Sequence, residues 1–213
     1  MQSAPEFDQG FQEQLEQLFV WRRDVRRFKG DAIDPTILEK MLSLACLAPS
    51  VGFSQPWRFV LVESSDRRDA IRENFEQCNR DALGDYEGER AKLYASLKLA
   101  GLDEAPVHLA VFVDEATATG RGLGRKTMPE MLHYSAVMAV HAFWLAARAH
   151  GIGVGWVSIL DPDCVKGILE APPSWTLIAY LCVGKPAEDN MRPQLERAGW
   201  EAVDRESAAV VRR

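Results

Sequence analysis

Apolar residues recur at nearly helical spacing through Phe7, Phe11, Leu15, Leu18 and Phe19, which predicts an amphipathic helix over residues 7–23. Asp34 and Pro35 open a second helix, since aspartate caps an N-terminus and proline fits the first helical position. Its inner face is Leu38, Met41, Leu42 and Ala45, and it should stop near Ala48-Pro49. WRFVLVE (57–63) reads as a strand, and the charged stretch 66–83 as a surface helix. Residues 84–104 are polar and helix-prone, with Tyr86, Tyr94, Leu97 and Leu99 scattered through them. VHLAVFV (107–113) is almost continuously apolar, as a strand covered on both faces would be. After a loop at 114–128, the longest helical pattern runs from Pro129 to His150. It is apolar nearly all round, which suits a core or a subunit interface. GIGVGWVSI (151–159) is a strand behind a helix-stopping glycine, 162–169 a short helix, and SWTLIAYLCVG (174–184) another buried strand. The polar remainder, 185–213, should wrap over a surface or a partner chain. Helices mixed with four or five short strands predict an α+β fold in a single domain spanning 1–213.

Composition changes this picture little. With 213 residues, 47% hydrophobic and 26% charged, the chain is an ordinary globular sequence rather than a disordered one. A formal net charge of −6 gives no general attraction for nucleic acid or an anionic membrane, so neither is expected as a partner. The most apolar stretch, Ala136 to Ala147, falls short of the about 20 residues that a spanning helix needs. The first residues lack a basic start followed by an apolar run, so a cytoplasmic location is the expectation. The four cysteines form no CxxC and no zinc spacing, and no metal is expected. Cys46 and Cys182 read as core thiols. No GxSxG, HExxH or P-loop is present.

Three segments could carry chemistry. Arg22-Arg23-Asp24-Val25-Arg26 concentrates guanidinium groups, and a helix there would put Arg22 and Arg26 on one face, able to fork a phosphate. A solvated, charged helix end is the plainer alternative. APSVGFSQPW (48–57) breaks a helix with two prolines and a glycine and offers Ser50, Ser54 and Gln55, as ligand-lining loops do. An ordinary helix-to-strand connection would look similar. In the third, GIGVGW, alternating glycines give up packing, which admits a flat body close to the backbone or tight packing against the preceding helix. This is not the GxGxxG of a dinucleotide fold.

Taken together, RRDVR (22–26), APSVGFSQPW (48–57), GERAKLYASLKLAG (88–101), WLAARAHGIGVGWVSI (144–159) and YLCVG (180–184) resemble the nitroreductase-like flavoprotein family over about residues 16–200. The resemblance implies a central, mostly antiparallel sheet flanked by helices, and a homodimer with FMN at the subunit interface. The strings are most similar to the branch that destroys flavin. It consumes reduced FMN and O2, and releases the benzimidazole base of cobalamin with erythrose 4-phosphate. A separate flavin reductase would supply the reduced FMN. Two features favour that branch: Asp24 stands where nitroreductases usually have serine, and Phe53 where they often have asparagine. An NAD(P)H-dependent nitroreductase or flavin reductase is the alternative.

The resemblance implies that Arg22, Arg23 and Arg26 grip the FMN phosphate, and that Asp24 and Val25 of the same segment also lie against the cofactor. It places Pro49, Ser50, Gly52 and Gln55 along the flavin, and the backbone of Gly155, Trp156 and Val157 near its ring. Residues 84–104 would close over it as a lid, with Arg90 and Leu99 touching it, a surface excursion without ligand contact being the plainer alternative; Arg192 would reach it from the tail. Asp24 is the implied acid/base group, and Ser158 the hydrogen-bonding partner that positions the reacting flavin.

Overall fold

The computed structural model describes residues 3–204 and 210–213. Four strands, β1 (Trp57–Leu61), β2 (Val107–Asp114), β3 (Gly153–Val157) and β4 (Trp175–Gly184), form one antiparallel sheet in the order β1-β2-β4-β3. The helices are α1 (Gln9–Trp21), α2 (Pro35–Ala45), α3 (Ser65–Leu83), α4 (Gly88–Ser96), α5 (Met131–Ala149), α6 (Pro162–Ile168) and α7 (Gln194–Arg197). The capping logic of α2 holds: the Asp34 side chain accepts from the Thr36 amide, and Pro35 occupies the first turn.

Alternation along the strands divides two cores. Leu109, Val111, Leu181 and Val183 face α2 and α5, where they meet Met41, Ala45, Val140, Phe143 and Ala147. Ala110, Phe112, Tyr180 and Cys182 face the other side and meet Ile71 of α3 and Val165 of α6. β2, central and buried from His108 to Val113, matches the expectation of a strand covered twice.

Two local expectations fail. Residues 22–28 are extended rather than helical, because α1 ends at Trp21 and the chain bridges to β3 through Asp24 and Val154. Cys46 is exposed at the C-cap of α2, one residue past the buried Ala45, while Cys182 is buried as expected. The helix after Pro129, expected in a core or at a subunit interface, is covered by its own chain on one side only. It buries Leu132, Ala136, Ala139, Val140 and Phe143 but leaves Tyr134, Val137 and Met138 exposed. Beside it, α1 buries no residue at all, and its Phe11, Leu15, Phe19 and Val20 stand in solvent. Among the described residues no helix is long and apolar enough to cross a membrane.

His108 is 1% exposed and its Nδ1 lies 2.9 Å from the Tyr180 hydroxyl. Burial, reinforced by Arg68 and Arg72, pushes its pKa down to about 4. The folded imidazole therefore stays neutral where the unfolded one takes a proton. Stability from this group is intact above about pH 6.5 and falls as pH drops towards 4. Between pH 6.5 and 5 the expected loss is about 2 kcal/mol. Urea midpoints at the two pH values check it: a His108→Gln chain should lose part of that acid sensitivity, and an unchanged dependence would contradict the assignment.

Candidate functional site

The site begins with a backbone pairing. The Val25 amide donates to the Val154 carbonyl at 3.0 Å, laying residues 24–28 along the outer edge of β3. Here the alternating glycines find their use. A Cβ on Gly155 would stand 2.0 Å from the Val25 carbonyl oxygen, and one on Gly153 would stand 2.8 Å from the Val25 side chain. The body these glycines admit is the chain's own segment at Val25, rather than a flavin ring or α5. Phe28 anchors the far end, buried where Gly101 and Gly184 leave room for its ring.

Extended backbone also changes which side chains meet. Asp24 and Arg26, two apart, fall on one side. Arg26 Nε donates to Asp24 Oδ2 at 2.8 Å, and the Trp156 amide donates to Oδ1 at 2.9 Å. The carboxylate is thus held at both oxygens and is about a third exposed. A carboxylate has roughly four acceptor positions, so two remain for a ligand or a proton. Arg26 reaches on to the Lys98 carbonyl at 3.3 Å, at the end of the segment containing α4.

Arg22 stacks on Trp144, with its guanidinium carbon 5.0 Å from the ring centre, and Trp144 Nε1 donates to the Arg23 carbonyl at 3.3 Å. Arg23 Nε donates to the Met191 carbonyl at 2.8 Å. Burial first, and then Arg22 beside it, pull the Arg23 pKa below the usual guanidinium range, with Glu196 opposing. An anion arriving there would relieve that burden. Arg22, Arg23, Asp24 and Arg26 form one wall of a cavity of about 190 Å³, closed opposite by Pro193, Gln194 and Leu195. A small annex adds Arg27, Arg192 and Arg197. The cationic groups outnumber the acidic ones, and their fork geometry suits phosphate. The residues present therefore fit the phosphate end of a nucleotide.

Apart from Arg192 in the annex and the residues of β3, the other expected contacts lie away from this groove. The 48–57 loop sits at the opposite end of α5, where Ser135 Oγ accepts from the Val51 amide at 3.0 Å. Ser135 and Trp144 are nine residues apart, or about 14 Å along the helix. In that loop Ser50 Oγ accepts from the Gln55 amide at 3.0 Å, and Pro49 and Gln55 are exposed. Gly52, at φ 56°, leaves room for the Leu123 carbonyl, which a Cβ would approach to 2.6 Å. Phe53 is 77% exposed with φ 57°. Leu99 lines a separate cavity with Phe75 and Asn79 of α3. Arg90 stacks on Trp200, 4.8 Å from the ring centre. Val157 is buried in β3, Ser158 is exposed just beyond it, and Arg192 pairs loosely with Glu196 at 3.5 Å. Trp144, Met191 and Gln194 were not foreseen. A lone tryptophan in an apolar helix carries no periodic signal, and a backbone carbonyl carries none in sequence at all.

Residues 19–185 match the model of the nitroreductase family, and the chain belongs to that family. Within it, two relatives share one description. A 5,6-dimethylbenzimidazole synthase of Rhodospirillum rubrum is 53% identical across 100% of both chains. Another, of Rhodobacter capsulatus, is 45% identical over 92% of this chain and 94% of its own. Among solved structures, oxidized iodotyrosine deiodinase bound to FMN and 3-iodo-L-tyrosine superposes with a TM-score of 0.72 at 25% identity, covering 93% of this chain and 97% of its own. A BluB-like flavoprotein of Clostridium difficile 630 shares the fold, with a TM-score of 0.68, 21% identity and coverage of 93% and 99%.

Proposed function

We propose that this chain is a 5,6-dimethylbenzimidazole synthase: it takes reduced FMN and O2 and releases 5,6-dimethylbenzimidazole, the lower-ligand base of cobalamin, with erythrose 4-phosphate and the oxidised pyrimidine remainder of the isoalloxazine. The observation that carries the reading is the Asp24 carboxylate, pinned between the Trp156 amide and Arg26 on the floor of an arginine-walled groove. FMN is the substrate and supplies the carbon skeleton and the electrons given to O2. Arg22, Arg23 and Arg192 hold its phosphate. With two acceptor positions free, Asp24 takes and returns protons at its carboxylate oxygens while the ribityl C1′–C2′ bond is cut. Ser158 orients the reacting flavin from the end of β3. Residues 84–104 cover the site and keep bulk water out.

The site is completed by a second copy of the chain. A cavity of about 190 Å³ is smaller than the roughly 300–1,000 Å³ of pockets that enclose a ligand of this size. The loop with Pro49, Ser50, Gly52 and Gln55 lies at the wrong end of α5 to serve the same groove. The exposed apolar faces of α1 and α5 are where a partner would bind. Each flavin is then gripped by the arginines of one copy and lined by the loop of the other.

A separate reductase supplies reduced FMN. Offered NAD(P)H and oxidised FMN alone, the chain is expected to oxidise the nicotinamide no faster than the protein-free background. Offered FMN already reduced, it should leave less flavin absorbance after air is admitted than a protein-free control. Fast NAD(P)H turnover with full recovery of flavin would instead make it a conventional nitroreductase or flavin reductase.

A further inference from the structure

The C-terminal tail touches both halves of the site. At its upstream end the Met191 carbonyl holds Arg23, and Pro193, Gln194 and Leu195 close the arginine groove. Five residues later Trp200 lies against the helix that carries the lid. Its ring meets Tyr86 edge-on at 5.5 Å and Tyr94 at 6.0 Å, and Arg90 covers it at 4.8 Å. Tyr86 and Tyr94 stack on each other at 4.9 Å, and the Tyr94 hydroxyl donates to Asn79 of α3 at 2.8 Å.

The link between the two ends is stiff. Gly199, at φ 77°, ends α7 in the left-handed conformation. The Trp200 amide bonds the Leu195 carbonyl at 2.9 Å and the Gly199 amide bonds the Glu196 carbonyl at 3.1 Å. That is the paired hydrogen bonding of a Schellman turn. One compact unit therefore presents Leu195 to the groove and Trp200 to the lid. α4 has few other ties: its only buried residue is Tyr94, which is one of the rings Trp200 touches.

We propose that Trp200 is the positioning residue of the lid, and that residues 190–200 are a strap tying the lid to the phosphate groove. The proposal rests on the functional reading above for what the lid protects. With the strap intact, the lid stays closed over reduced flavin. Without it, water enters, and reduced FMN passes two electrons and two protons to O2, giving oxidised FMN and H2O2 instead of fragments.

Trp200→Ala, Trp200→Phe and Tyr86→Ala test this in the full chain. Tryptic cleavage within 84–104, at Arg90, Lys92 and Lys98, should run about tenfold faster in Trp200→Ala, which loses two ring contacts and a cation–π contact, and several-fold faster in Tyr86→Ala, which loses two ring contacts and keeps Arg90 over Trp200. H2O2 released per reduced FMN should rise with it, at little change in the affinity for oxidised FMN, and Trp200→Phe should restore most of the protection. Wild-type cleavage rates and H2O2 yield in both alanine variants would overturn the strap. The cleavage arm uses no flavin, so it decides the strap even where wild-type chain returns all its flavin intact, a result that would count against the functional reading alone.

Discussion

Alanine at position 155 is expected to abolish product formation and to lower unfolding stability by about 2–3 kcal/mol. The added methyl would stand 2.0 Å from the Val25 carbonyl oxygen, and both atoms belong to backbones fixed by their own hydrogen bonds. Neither can swing aside as a flexible side chain would. The segment 24–28 must lift from β3, and the Trp156 amide then loses Asp24. Gly167→Ala is the matched control. It lies in α6 with nothing within 4 Å of its added Cβ, so it should be neutral or stabilise by up to about 1 kcal/mol. Thermal melts and turnover of the two variants check the pair. Normal turnover in Gly155→Ala would mean that the pairing of residues 24–28 with β3 does not matter to the site.

Asp24→Asn is expected to separate binding from chemistry. Asparagine keeps the shape and leaves a carbonyl oxygen for the Trp156 amide, while Arg22 and Arg23 keep their places on Trp144 and Met191. FMN should bind within a few-fold of wild type. Product formation should fall by about 10²–10⁴, the usual worth of a positioned acid/base group. Ser158→Gly should also bind flavin and lose product, through orientation rather than proton transfer. Full product from both variants would remove Asp24 and Ser158 from the roles assigned to them.

Much of the fold was legible from periodicity, because β2 and β4 have unbroken apolar runs and α2 has an Asp-Pro start that acts locally. The extended course of Arg22 to Arg26 was not legible. Nothing within RRDVR forbids helix. What makes it extended is β3, some 130 residues away, whose Gly153 and Gly155 leave a slot that only a close backbone fills. The alternating glycines do mark a close approach in the sequence, and the approaching body is Val25. The same geometry alters Arg26: it turns inward to Asp24 and the Lys98 carbonyl, where a helix would have paired it with Arg22. The apolar character of α5 was legible, and periodicity left core and subunit interface both open; the fold shows one buried side and an exposed side with Tyr134, Val137 and Met138. The tail had no pattern to read. Its role comes from a Schellman turn and three aromatic rings that meet only in the folded chain.

Flavin destruction by this chain is tested most directly by the masses left after one incubation of the protein with chemically reduced FMN in air. 5,6-Dimethylbenzimidazole and erythrose 4-phosphate are expected in equal amounts, with a matching deficit of FMN. Complete recovery of the flavin as intact FMN would contradict that function.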